Sequence, residues 1–133
     1  MLSGSSVFQW EELIDLAERL STNSAIGTEE AICRTIIGRS YYGAFCLARN
    51  LASQNGWVRL FDDGRDHGKV KAYYKHNENK AKKQIGLNLE RLHADRKYAD
   101  YEDRCFGSKE KATKSIYRAQ DIRHQLRRFM PPC

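Results

Sequence analysis

Between Thr28 and Ser53 the chain sets apolar residues almost all the way round a helical period, with no proline to interrupt it. Its centre, AICRTIIGRSYYGAFCLARNLA, has no continuous polar face. A helix of that kind is stable only when other elements enclose it on several sides. The rest of the chain supplies amphipathic helical spacing and no alternating strand pattern. The expected fold class is therefore all-α, an antiparallel four- to five-helix bundle with short connections.

The expected helices cover about 8–21, 28–53, 67–76, 79–101 and 108–129. In the first, Phe8, Leu13, Leu16, Ala17 and Leu20 form one stripe. Thr28 is placed to cap the second, with Glu29 and Glu30 in its first turn, where the helix dipole favours acids. Ser108 is placed to cap the last. The breaks fall at STNS, SQNGWVRLFDDGRDHG and DRCFGS, and both prolines lie in the closing MPPC. In the long loop, Trp57, Leu60 and Phe61 either pin the segment to the core or mark a contact surface.

A length of 133 residues suits one domain spanning 1–133 with a core of its own. No apolar run is long enough to span a membrane, and MLSGSSVFQWEEL lacks the basic flank and apolar stretch of a secretory signal. The expected location is cytoplasmic. Cysteines at 33, 46, 105 and 133 form no C-x-x-C pair, so neither a disulfide framework nor a zinc site of ordinary spacing is expected, and no other metal or cofactor is implied. Cys46, between Phe45 and Leu47, reads as a small core residue.

Charge is unevenly spread. Residues 1–66 hold six basic and nine acidic groups, a balance of −3, and residues 67–133 hold seventeen and eight, a balance of +9. Such a split favours an acidic partner, with nucleic acid the first candidate. HGKVKAYYKHNENKAKKQIG carries six lysines against one glutamate, with Tyr73 and Tyr74 between them. Lys69, Lys71, Tyr73, Lys75 and, on the last helix, Arg118 are the candidate RNA contacts: cations for phosphate and rings for bases. Tyr73 and Tyr74 equally fit a core or a dimer contact.

Two arginines stand where apolar residues are expected. On the fourth helix, Ile85, Leu89, Leu92 and Ala99 share a face, and Arg96 lies near its centre with Asp100 one turn on and His93 one turn back. On the second, Arg39 lies on the face of Ile32, Ile36, Gly43 and Leu47. A plain ion pair between Arg96 and Asp100 supports a helix end. A polar pocket shared by both arginines is the alternative we favour, because a guanidinium on a buried seam needs a partner.

GRSYYGAFCLARNL (38–51), DHGKVKAYY (66–74) and RKYADYED (96–103), followed by a last helix of alanine–isoleucine spacing, together resemble a HEPN domain, most closely the small stand-alone bacterial and archaeal kind. The likeness covers roughly residues 30–129. It implies a four- or five-helix bundle that forms a homodimer. It also implies a metal-independent endoribonuclease, acting as a toxin or antiviral effector beside a nucleotidyltransferase or antitoxin partner, or a non-catalytic dimer that binds RNA or a nucleotide for a partner enzyme. HEPN ribonucleases carry an R-x(4–6)-H motif, in which histidine moves a proton and arginine steadies phosphorane charge. Here the position after Arg96 holds Ala99–Asp100–Tyr101 in place of that histidine. The resemblance thus points to Arg96, Asp100, Tyr101, Arg39 and His67 as the catalytic candidates, His67 matching the family's histidine at the start of the third helix. The one literal match, Arg118 with His124, sets its two side chains on divergent faces.

Overall fold

A computed structural model describes residues 8–23, 27–105 and 107–131. It is an all-α bundle of five helices: α1 (Glu11–Leu20), α2 (Glu29–Gln54), α3 (Arg65–Lys75), α4 (Lys80–Tyr101) and α5 (Ser108–Leu126), closed by a 3₁₀ turn at Arg127–Phe129. Helix α2 is the central post. It packs against each of the other four helices, and half of its 26 residues are buried. That is the enclosure its all-round apolar pattern requires. Thr28 Oγ1 accepts the Ala31 N–H at 3.2 Å, so the expected cap forms.

Three local expectations change. Phe8 precedes α1 and is half exposed, as is Leu16, while Ile14 and Ala17 form the buried stripe of α1. The cause is Gly43 on α2, whose bare Cα lets Ile14 approach so closely that an added Cβ would lie 2.8 Å from it. Ser108 does not cap α5. The chain turns at Gly107 with φ +66°, a conformation that suits glycine, so Ser108 falls inside the first turn and no side chain caps the helix. Helix α3 starts at Arg65, ahead of His67, because Asp66 is buried and its carboxylate accepts the N–H groups of Phe61 and Asp62, both at 2.8 Å.

That carboxylate fastens the end of the long loop, and Trp57, Val58 and Leu60 pack on the core, whereas Phe61 stays half exposed beneath the cations of Arg65 and Lys69. Helix α3 reaches α4 at Gly86, where a Cβ would lie 2.2 Å from the Lys75 backbone nitrogen. This contact brings the first turns of α3 alongside the middle of α4. At the far end of α4, Arg34 donates to the carbonyls of Ala99 and Glu102 at 2.7 Å and of Asp103 at 3.2 Å, satisfying acceptors that a helix end leaves open. Among the described residues no helix is long and apolar enough to cross a membrane, and Cys33, Cys46 and Cys105 are free and buried. Cys133 and Ser24 lie outside the described residues.

Candidate functional site

The bundle gathers polar groups at one place, where α2, α3 and α4 meet. Tyr41 of α2 is 2 % exposed, and its hydroxyl lies 2.6 Å from Nδ1 of His67 on α3. The His67 ring stacks on Phe45 with centroids 4.2 Å apart and planes within 2°. Tyr41 stacks in turn on His93 of α4, at 5.1 Å. Lys71, one turn along α3 from His67, approaches His93 Nδ1 at 3.2 Å. Two imidazoles, a phenol and a phenyl ring therefore form a continuous aromatic pile joining three helices.

Both histidines are held neutral. Burial depresses His67 below its ordinary range, and Arg96, Arg49 and Lys71 add to that against an opposing pull from Asp66. Burial, then Lys71, His67, Lys97 and Arg96, lower His93 to about 4. Neutrality fits the geometry, because an ammonium at His93 Nδ1 can donate only to an unprotonated nitrogen. Burial raises the Tyr41 phenol, so it keeps its proton. Nδ1 of His67 is the hydroxyl's one hydrogen-bond partner among the described residues. A phenol is a stronger donor than a neutral imidazole, so we assign Tyr41 as donor to Nδ1. The His67 proton then sits on Nε2, at the far side of the ring.

His67 lines a cavity of about 310 Å³ with Phe45, Arg49, Asp62, Asp63 and Asp66. Its acids are not equivalent. Asp66 is occupied by the loop amides, Asp63 is paired with Arg65 at 2.7 Å and held below the usual carboxylate range by it, and Asp62 adopts φ +60° at the rim. Arg49 is half-buried, with its Nε donating to Asn50 Oδ1 at 2.9 Å and its guanidinium carbon 5.7 Å from the Trp10 ring centroid.

Arg96 answers the puzzle of a cation on an apolar seam. Its side chain is 17 % exposed and its guanidinium lies over Tyr42 of α2 at 5.1 Å and Tyr101 at 5.7 Å. The rings accept the cation on their faces. Nε stands 2.9 Å from Asp100 Oδ2 but is not aligned for a hydrogen bond, so the contact is ionic rather than directed. Arg39 sits one turn before Tyr42 on α2, with a buried Nε that has no hydrogen-bond partner. Asp100 is engaged by Arg96, and the acid acting on His67 is Asp66. Tyr101 is 69 % exposed.

The basic candidates are mostly engaged within the chain. Lys69 donates to the Arg59 carbonyl at 2.6 Å, Lys71 to His93, and Lys75 to Glu90 at 2.5 Å. Tyr73 stacks on Trp57 and accepts from Lys82 at 2.7 Å, while Tyr74 is fully buried with its hydroxyl on the Ala48 carbonyl. Arg118 pairs with Asp95 of α4 at 3.2 Å, and His124 is exposed on another face of α5. The residues that the patterns do not single out are Tyr41, which its helix position marks as core, and Arg49, which nothing in the chain distinguishes from a surface cation. Only the fold brings them to His67.

No family model, curated protein or solved structure matches this chain.

Proposed function

We propose that this protein is a HEPN-like, RNA-directed helical module in which the recess at His67 receives the nucleotide. The observation that supports this most is the Tyr41–His67 hydrogen bond at 2.6 Å. It fixes the imidazole in one orientation with Nε2–H available, beside Arg49 in the same cavity and within the field of Arg96. A neutral donor flanked by guanidiniums suits a base carbonyl, a ribose hydroxyl or a single phosphate oxygen. The three aspartates lining the cavity disfavour a run of phosphates there. Binding of RNA or a nucleotide without cleavage, on behalf of a partner enzyme, is therefore the reading the chemistry fits best.

Metal-independent RNA cleavage is the second reading, favoured by a histidine kept unprotonated near neutral pH. To act as a base, His67 has to exchange tautomers, donating Nδ1–H to Tyr41 and opening Nε2. A homodimer, as in the resembling family, is supported by the outer face of α4, where Leu87 and Tyr101 are exposed at 38 % and 69 %. The test is incubation of labelled RNA with the protein in excess chelator, alongside His67→Ala, with binding followed on the same samples. Binding without cleavage, weakened in the variant, supports the first reading. Cleavage lost in the variant supports the second. RNA behaving identically with both proteins removes His67 from either role.

A further inference from the structure

The recess at His67 holds an open acceptor as well as open donors. Of its three carboxylates, Asp63 is taken by Arg65, and Asp66 by the amides of Phe61 and Asp62. Asp62 is exposed, and among the described residues its carboxylate has no ion-pair or hydrogen-bond partner. Its backbone stands at φ +60°, in the left-handed region that residues with side chains rarely adopt. The buried Asp66 carboxylate clamps that conformation by accepting the Phe61 and Asp62 amides at 2.8 Å. Strain held in this way fixes where the Asp62 side chain leaves the loop.

Two donors line the same cavity. Arg49 gives its Nε to Asn50, and its terminal guanidinium nitrogens have no hydrogen-bond or ion-pair partner among the described residues. His67, held at Nδ1 by Tyr41, presents Nε2–H. Asp62 and Arg49 thus share a cavity of about 310 Å³ without pairing with each other. Such a lining suits a ligand with N–H groups on one edge and acceptors on the next. Of the four RNA bases, only guanine sets two N–H donors side by side, at N1 and N2, for the two oxygens of one carboxylate. It also sets two acceptors side by side, O6 and N7, for a guanidinium. Adenine and cytosine have one exocyclic amine beside an acceptor, and uracil has a single N–H between two carbonyls. In a single strand these edges are open to a protein.

We infer that the His67 recess selects guanine, with the Asp62 carboxylate accepting N1–H and N2–H while Arg49 and His67 Nε2–H donate to O6 and N7. The inference rests on the nucleotide-binding reading of the recess and names the base that it takes.

The test is fluorescence anisotropy of labelled heptauridine and of its variants with one central guanine, adenine, cytosine or hypoxanthine, using wild type, Asp62→Asn and His67→Ala. Asparagine tolerates the left-handed backbone but cannot accept two N–H groups through two oxygens. Circular dichroism melts check that each variant folds. Wild type is expected to bind the guanine oligomer about tenfold tighter than the adenine, cytosine and all-uracil ones. Hypoxanthine, which lacks the N2 amine, keeps only part of that gain. In Asp62→Asn the oligomers come to within about twofold of one another, while heptauridine binds no more weakly than to wild type. The ratio between oligomers is the readout, because a change in field alone moves all of them together. Equal binding of all oligomers by wild type, weakened in His67→Ala, overturns the guanine assignment and leaves the recess as a nucleotide site. A guanine preference that survives in Asp62→Asn overturns the assignment as well. If no oligomer binds wild type, or His67→Ala binds each one as wild type does, the reading of the recess falls together with the inference.

Discussion

Acidification should loosen the junction of α2, α3 and α4 before it touches the carboxylates. His93 is lowered from 6.5 to about 4. The unfolded chain thus binds a proton there that the folded chain refuses, and stability falls as pH drops through that window, levelling off below it. The full shift corresponds to roughly 3 kcal/mol at about 1.4 kcal/mol per pH unit. The imidazole is only partly buried, so solvent screening leaves about 1–2 kcal/mol. His67, also depressed, contributes in the same direction. The ion-paired Glu90 and Glu110 are held below 4.5 and lose their contributions at lower pH. Urea denaturation near pH 7.5 and near pH 5 reads the difference. His93→Asn preserves an acceptor for Lys71 and cannot protonate, so its stability should fall less by most of that amount. Lys71→Met removes the nearest cation and should move the titration back towards 6.5. If wild type and His93→Asn lose the same stability over this window, the imidazole is not held neutral by its surroundings and the reasoning fails.

Three further outcomes follow from the packing. Gly86→Ala pushes a Cβ into the Lys75 backbone at 2.2 Å, and overpacking of this kind should cost about 1–3 kcal/mol in chemical denaturation. Asp66→Ala strands the amides of Phe61 and Asp62; a loss of about 1–3 kcal/mol should accompany faster hydrogen exchange at those two amides than elsewhere in the loop. Arg34→Ala removes three carbonyl contacts at the end of α4, and a loss of about 2 kcal/mol is expected, with fraying in α4 seen by exchange at residues 99–103.

The helical framework was legible because it depends on local period and capping. Thr28 caps where its spacing requires, and of the apolar stripe Ala112, Ile116, Ala119, Ile122 and Leu126 on α5 all but the partly buried Ile116 are buried. Failures came where a neighbour decides. Leu16 fits the stripe of α1, yet Gly43 on another helix draws in Ile14 instead. Ser108 is a good cap by composition, but the left-handed turn at Gly107 shifts the helix start. The site was legible in part. Arg96 stands out because it puts a cation on an apolar face, and His67 because it opens the third helix where the resembling family has a histidine. Their partners do not, since Tyr41, Tyr42 and Arg49 reach them across helices from a segment that reads as core. The lysines of α3 read as RNA contacts in a linear pattern, and only tertiary packing shows the Arg59 carbonyl, His93 and Glu90 engaging Lys69, Lys71 and Lys75.

The most direct test of the central claim is nitrogen-15 NMR of the His67 ring across a pH titration, with and without RNA. The account predicts a neutral ring protonated at Nε2, titrating below the ordinary 6.5, whose Nε2 signal moves on RNA addition and whose Nδ1 signal loses its hydrogen-bond shift in Tyr41→Phe. A ring that titrates normally, shows no tautomer preference and ignores saturating RNA contradicts it.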